Sequence, residues 1–331
     1  MVPYIVQVLN GLYAIGPIQT VGTSAGGLRE SATSPFLVVG ERAAIVEPGE
    51  HSQAAPFLEG VAEIGVTLDR IDYIIPTHLH LHHSTALNVL LDAIPHAKVV
   101  VHARGVAHAI EPTRLNASSV QAWGPGECNL NLNPVPEDRI IGVAGGEVFD
   151  LGGRKLEIID APGHAPHNFG IYDTLTKGLW CGDFPQFQSN SKRGGISINP
   201  PLFHVERGLE TLRRFRACNP AVLLKWYGGI AHYQPELLIR TAEEDLLAFE
   251  RICVEGMRQK LPAKEIALKL EEYKQSVGLI ESLGQEVVQE DVRGPVALYR
   301  YLIQKYPDLE MPEGAIIPGR GEREMRRSSA D

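Results

Sequence analysis

The sequence predicts a layered α/β protein, and three observations carry that prediction. Apolar runs of strand length alternate with a segment of helical periodicity in the first third of the chain. A second set of short strands follows an interval rich in Pro, Gly and Asn. Directly behind one apolar run, four histidines (His78, His80, His82 and His83) crowd into six residues.

Taken in order, residues 4–16 and 34–49 read as a β-meander, with Tyr4–Val8 turning at Asn10-Gly11 into Leu12–Ile15, then Phe36–Val39 and Ala43–Val46 flanking Gly40-Glu41-Arg42. Ala55, Leu58, Val61 and Ile64 recur at helical spacing, so Gln53–Ile64 is a helix, and Leu68–Thr77 returns as the strand that delivers the histidines. Thr85–Ile94 is a helix stopped by Pro95, and Lys98–His102 is a strand. The weakly periodic interval Glu111–Asp138 reads as an inserted loop near the site and a candidate substrate lid. The second half brings strands at Glu147–Leu151, Lys155–Asp160, Phe169–Tyr172 and Gly178–Cys181, a polar loop over Gln186–Pro201 and a helix over Val205–Cys218. The strand Ala221–Tyr227 then runs through Gly228-Gly229 to His232. Beyond Pro235 the composition turns helical. Thr241-Ala242-Glu243-Glu244 is a capping-box pattern, a second amphipathic helix starts at Pro262 and a third spans Pro295–Lys305. These helices read as packing and interface material, and the polar stretch from Glu313 to Asp331 as a frayed tail.

Composition narrows the function. With 44% hydrophobic and 21% charged residues, the 331-residue chain belongs with ordinary globular proteins. A net charge of −9 argues against a nucleic-acid groove as the main binding surface, because phosphate recognition relies on clustered Lys and Arg. No apolar stretch reaches membrane-spanning length and the start lacks the pattern of a signal peptide, so no membrane partner and a cytoplasmic location are expected. Cys128, Cys181, Cys218 and Cys253 are scattered without a Cys-x-x-Cys pair, which suits reduced thiols.

The histidine run is the chemical centre. A polar tract or tag would lie at a terminus, whereas this one follows Ile71-Asp72-Tyr73-Ile74-Ile75 and precedes the apolar Ala86–Leu91. Imidazole is the commonest neutral metal ligand; His78 and His80 can share one ion, and His82 and His83, displaced along the turn, suit a neighbouring one. Three further residues sit where strands end: His164 on the Pro162-Gly163 turn, Asp183 after Gly182, and His232. His51, His96, His102 and His108 read as surface or helix-end residues, while His167 and His204 are open, His167 having the option of facing substrate.

In the order His-x-His-x-His-His, Gly-His, Gly-Asp and a strand-end His, the chain resembles the metallo-β-lactamase-fold hydrolase superfamily, which includes glyoxalase II and quorum-quenching lactonases. The resemblance spans residues 4 to 235 and extends to Ile45-Val46-Glu47-Pro48-Gly49 and Ala161-Pro162-Gly163-His164. It implies a four-layer αββα sandwich over residues 1–240, a C-terminal helical region over 241–312 and a flexible tail over 313–331. It also implies two divalent metal ions, zinc ranked first with iron or manganese as alternatives. His78, His80 and His164 would hold the first, His83 and His232 the second, and Asp183 would bridge them.

Where the family has an aspartate, this chain has His82, a candidate ligand without the anionic charge. The expected activity is hydrolysis of an ester, thioester or lactone of a small molecule by a metal-bridged hydroxide, with His82 and Asp183 as the catalytic pair. Lys192, Arg193 and Lys225 are the candidate anion contacts, and phosphoester chemistry ranks below carboxylic esters for want of a basic surround. The alternatives are a non-haem iron redox protein on the same scaffold, and a binding protein whose site no longer turns over. Homo-oligomerisation through the C-terminal helices is a further option.

Overall fold

The computed structural model describes residues 4–16, 18–22, 28–32, 35–123, 131–185, 193–194, 196, 203–225, 231–278 and 293–315. Most of the expected 186–201 loop, Lys192, Cys128 and the tail beyond 315 lie outside them.

The first sheet has β1 (Tyr4–Leu9), β2 (Leu12–Gly16), β5 (Phe36–Val39), β6 (Ala43–Val46), β7 (Ile71–Ile75), β8 (Lys98–His102) and β9 (Ile140–Val143), in that spatial order. The pairs from β1 to β6 are antiparallel, and β6, β7, β8 and β9 run parallel. The second sheet orders β10 (Val148–Asp150), β11 (Lys155–Asp160), β12 (Phe169–Asp173), β13 (Gly178–Trp180), β14 (Val222–Leu224) and β15 (Ala231–His232). A separate hairpin, β3 (Ile18–Gly22) with β4 (Leu28–Ala32), stands between β2 and β5 in the chain; its polar, Gly-rich sequence gave no strand signal.

Successive strand side chains point to opposite faces, and here both faces are buried. From the first sheet, Leu12, Phe36, Val38, Ala44, Val46, Ile75 and Val100 meet Leu156, Ile158, Phe169, Ile171, Trp180, Val222 and Leu224 of the second in one inter-sheet core. Their alternating neighbours Leu37, Ile45, Ile74, Val99 and Val101 turn the other way, onto α1 (His51–Ile64) and α3 (Leu87–Ala93) through Phe57, Val61, Leu87 and Leu90. On the far side of the second sheet, Leu179 and Leu223 pack with α6 (Val205–Ala217), α7 (Pro235–Arg258), α8 (Ala263–Ser276) and α9 (Arg293–Lys305). The result is helix, sheet, sheet, helix, the four layers expected. Between α1 and α6 the chain also forms the short α2 (Leu81–Ser84), α4 (Val106–Ile110) and α5 (Thr113–Trp123).

The α5 helix corrects the expectation of a loop from Glu111 to Asp138. It is helical over 113–123, with Ser118 and Ser119 hydroxyls donating back to the carbonyls of Arg114 and Leu115. Few of its residues are apolar and, among its described side chains, only Leu115 is packed against the core, so its periodicity is weak. The expected helix over 85–94 is present as α3, Leu87–Ala93, and the separate short α2 precedes it at the histidines.

One buried ion pair ties the sheets together away from the site. Arg154, in the β10–β11 turn, gives Nε and Nη2 to the two carboxylate oxygens of Asp173 at 3.1 and 2.7 Å. Its Nη1 reaches across to the carbonyls of Asn10, Gly11 and Val39 in the first sheet. Gly11, at φ +60°, leaves room for this; a Cβ there would lie 2.9 Å from Nη1 and 2.8 Å from the Val39 carbonyl oxygen.

Candidate metal centre

Because β6, β7 and β8 are parallel, their C-terminal ends share one edge of the first sheet, and that edge presents Glu47, Thr77 to His83, and His102. The second sheet brings the β11–β12 turn with His164 and the residues after β13 with Asp183 to the same place. A backbone hydrogen bond from Phe169 N to Thr77 O, 3.0 Å, joins the two sheets here. Gly182 adopts φ +63°, and a Cβ on it would fall 2.7 Å from Asn168 Oδ1 and 2.9 Å from Thr77 Oγ1, so the turn that aims Asp183 needs glycine twice over.

Two sets of ligand atoms converge, His78, His80 and His164 in one, and His78, His82, His83 and Asp183 in the other. His80 Nδ1 lies 3.0 Å from both His78 Nε2 and His164 Nε2. Asp183 Oδ2 lies 3.4 Å from His82 Nε2, 3.4 Å from His83 Nε2 and 3.7 Å from His164 Nε2. His78, His83, His164 and Asp183 are buried, whereas the His82 side chain is 38% exposed. His232 is buried but belongs to neither set, and its Nδ1 accepts from Gln234 N at 3.2 Å. That bond puts the ring proton on Nε2, so ligation through Nε2 by His232 would require giving the bond up.

Behind these residues stands Glu47, which the sequence reading left without a role. It is buried at φ +55°, accepts from Thr77 Oγ1 at 2.5 Å and pairs with His83 Nδ1 at 2.8 Å. Since the Thr77 hydroxyl spends its proton on Glu47, its oxygen accepts from His78 Nδ1 at 3.2 Å. One carboxylate thereby fixes the tautomers of His78 and His83 so that each turns Nε2 to the cluster. The available signal was a charged residue closing the apolar strand Ala43–Val46 just before Pro48-Gly49.

His102 is likewise not a surface residue. It is buried, takes Arg104 N on Nδ1 and so donates from Nε2 to Asp160 at 3.2 Å, while Arg214 of α6 holds the same carboxylate at 2.7 Å. Thr211 donates to the Pro162 carbonyl at 3.0 Å, so the turn carrying His164 is braced from α6 at two points. Arg193 is not a free anion contact either, its Nη2 being committed to Asp245 at 2.8 Å and Glu244 at 3.2 Å. Lys225 is buried close enough for its charge to lower the proton affinity of His164.

Burial, then mutual repulsion among the rings, holds His78 and His80 well below the ordinary imidazole range. Burial likewise brings His164 down to about 4 against the pull of Asp183. Burial also disfavours charge on His83, but Glu47 and Asp183 outweigh it and raise His83 to about 9. Asp183, despite its burial, is kept well below the usual carboxylate range by His83, His82 and His164. His80 Nδ1 meets the Nε2 atoms of His78 and His164 at 3.0 Å each, and three converging imidazoles beside a persistent carboxylate are the donor set a divalent metal takes. The residues present therefore fit a metal centre.

Residues 28–223 match the sequence profile of the metallo-beta-lactamase superfamily. The chain is 28% identical over 222 residues to the metallo-beta-lactamase fold-containing protein ST1585 of Sulfurisphaera tokodaii, covering 63% of this chain and 80% of that one. The crystal structure of ST1585 superposes with a TM-score of 0.57 at 26% identity, over 71% of this chain and 86% of that chain. YobT of Bacillus subtilis is 28% identical over 142 residues, 43% of this chain and 54% of its own length. Rubredoxin oxygen:oxidoreductase of Desulfovibrio gigas shares the fold at a TM-score of 0.53 and 14% identity, over 78% of this chain and 70% of that chain.

Proposed function

The chain belongs to the metallo-beta-lactamase superfamily, and from that premise we propose that it is a metal-dependent hydrolase acting on a small ester, thioester or lactone. The observation that carries the reading is the convergence of His78, His80 and His164 on one side and His82, His83 and Asp183 on the other, with Asp183 within reach of both sets. These residues would hold two divalent ions, zinc ranked first, with His232 in reserve for the second. When bound, such ions supply Lewis acidity toward a carbonyl oxygen and make water a nucleophile at neutral pH.

The chain's own side chains do the rest. Burial keeps His78, His80 and His164 unprotonated, so their lone pairs are available at physiological pH. Asp183 stays ionised and places one negative charge between the sets, and Glu47 locks the rings of His78 and His83. Cys181 does not compete as a nucleophile. Burial pushes the neighbouring Cys181 thiol up to about 12, which leaves it inert. With Arg193 tied to α7, carboxylic ester chemistry is favoured over phosphoesters.

Elemental analysis of the purified protein, followed by an ester, thioester, lactone and phosphodiester panel, tests the reading. Two equivalents of a divalent metal with turnover of a carbonyl substrate supports it. Iron with O₂ consumption and no hydrolysis supports the redox alternative on the same fold.

A further inference from the structure

His167 lies three residues beyond His164 and belongs to neither converging set, yet it is only 9% exposed and is packed against the cluster. Its ring centroid is 6.1 Å from that of His80 and 6.4 Å from that of His78. The turn that carries it is held in place: Asn168 N bonds to Ala165 O at 3.1 Å, and Arg104 Nη1 to Pro166 O at 3.3 Å. Gly105 closes against its base, since a Cβ there would meet the His167 Cβ at 3.3 Å.

The orientation of the ring is set by one hydrogen bond. Leu79 N, from the backbone between His78 and His80, donates to His167 Nδ1 at 3.4 Å. A nitrogen that accepts from an N–H carries no proton of its own, so the ring proton must sit on Nε2, on the opposite side of the imidazole. That Nε2 has no hydrogen-bond partner among the described residues, and it is not one of the sealed polar atoms left unpartnered. A donor in a nine-tenths-buried side chain, fixed in direction and open to what enters from solvent, is the arrangement by which binding sites orient a ligand.

We propose that His167 is a ligand-contacting residue, whose Nε2–H donates a hydrogen bond to an acceptor oxygen held beside His78 and His80. On the hydrolase reading above, on which the identity of that oxygen rests, it is the carbonyl of the substrate or the carboxylate of the product. His167 thus adds a neutral donor beside His78, His80 and His164, the three rings that burial keeps unprotonated.

The test uses the zinc-reconstituted protein, ¹⁵N-labelled at histidine, with acetate as the probe. Long-range ¹H–¹⁵N spectra should show His167 protonated at Nε2 and bare at Nδ1, and added acetate should shift the Nε2 signal. His167→Phe, with zinc content unchanged, should bind acetate about tenfold more weakly, the usual scale of one lost hydrogen bond. His167→Gln, which keeps an N–H donor, should lose less. A protonated Nδ1, a His167 signal indifferent to acetate, or equal losses for Phe and Gln would each overturn the proposal. Should the wild-type protein hydrolyse nothing in the ester, thioester and lactone panel while His167 responds to acetate as described, the hydrolase reading fails and the donor role stands.

Discussion

Glu47 makes two demands on its neighbours at once, taking a proton from Thr77 and another from His83, and both demands end at the metal-facing nitrogens. An amide in its place presents only one oxygen and a donor that faces a donor. Glu47→Gln is therefore expected to leave the chain folded and weaken metal affinity by about 10- to 100-fold, the scale of losses behind a metal ligand. Competition for zinc against a chelator measures it, and unchanged affinity would show that the rings hold their direction without Glu47. Asp183→Asn removes the only carboxylate in the two sets, and should abolish most turnover and release one ion more readily than the other. Near-normal turnover with full occupancy would rule out the shared position of Asp183.

The same residues set the pH response of the metal-free protein. His164, down from 6.5 to about 4, contributes stability that is complete above 6.5 and is lost as pH falls toward 4, a difference of about 3 kcal/mol. His83, raised from 6.5 to about 9, does the reverse, contributing below 6.5 and losing its contribution as pH rises through 9. The thermal midpoint of the metal-free protein should therefore peak near pH 6.5 and fall on both sides, and a profile flat from pH 4 to 9 would contradict the assigned charges.

At the scale of elements, the strands were legible because burial on both faces leaves long apolar runs, as in Phe36–Val39 and Ala43–Val46. The direction of each side chain was not, since a continuous run has no alternation to read; the inter-sheet core emerges only once the sheets are stacked. The histidine turn was legible through sheer density. Glu47, Thr77 and His102 were not, because each acts through a partner 30 or more residues away and looks ordinary in its own neighbourhood. Arg154 is of this kind too, a turn residue whose carbonyl partners Asn10, Gly11 and Val39 lie on the other sheet. Asp173→Asn leaves its guanidinium buried without a counter-charge and should cost about 3–5 kcal/mol in urea unfolding. A loss below about 1 kcal/mol would mean that the three carbonyls satisfy Arg154 unaided.

Across the whole molecule, the sequence boundary expected at residue 240 falls inside α7, which runs Pro235–Arg258. Leu246, Phe249, Cys253, Val254 and Met257 of that helix share one core with Val205, Leu212 and Phe215 of α6. A chain ending at 240 would expose this apolar face, and is expected to be recovered as aggregate, whereas one ending at 315 should be soluble and bind metal as the full chain does. Soluble, metal-binding protein ending at 240 would show that the helices are an independent addition. Among the described residues no helix is long and apolar enough to cross a membrane. The apolar face of α7 and its neighbours packs with Leu179 and Leu223 of the second sheet.

Everything functional rests on the cluster being a two-ion centre. Zinc stoichiometry, measured by elemental analysis on wild type and on His164→Ala after equilibration with excess zinc and desalting, tests this most directly. Two ions per wild-type chain and one retained in His164→Ala is the predicted result, because His164 lies with His78 and His80 and outside the set formed by His78, His82, His83 and Asp183. A wild-type chain that holds no zinc, or a His164→Ala variant that keeps both ions at full occupancy, would contradict it.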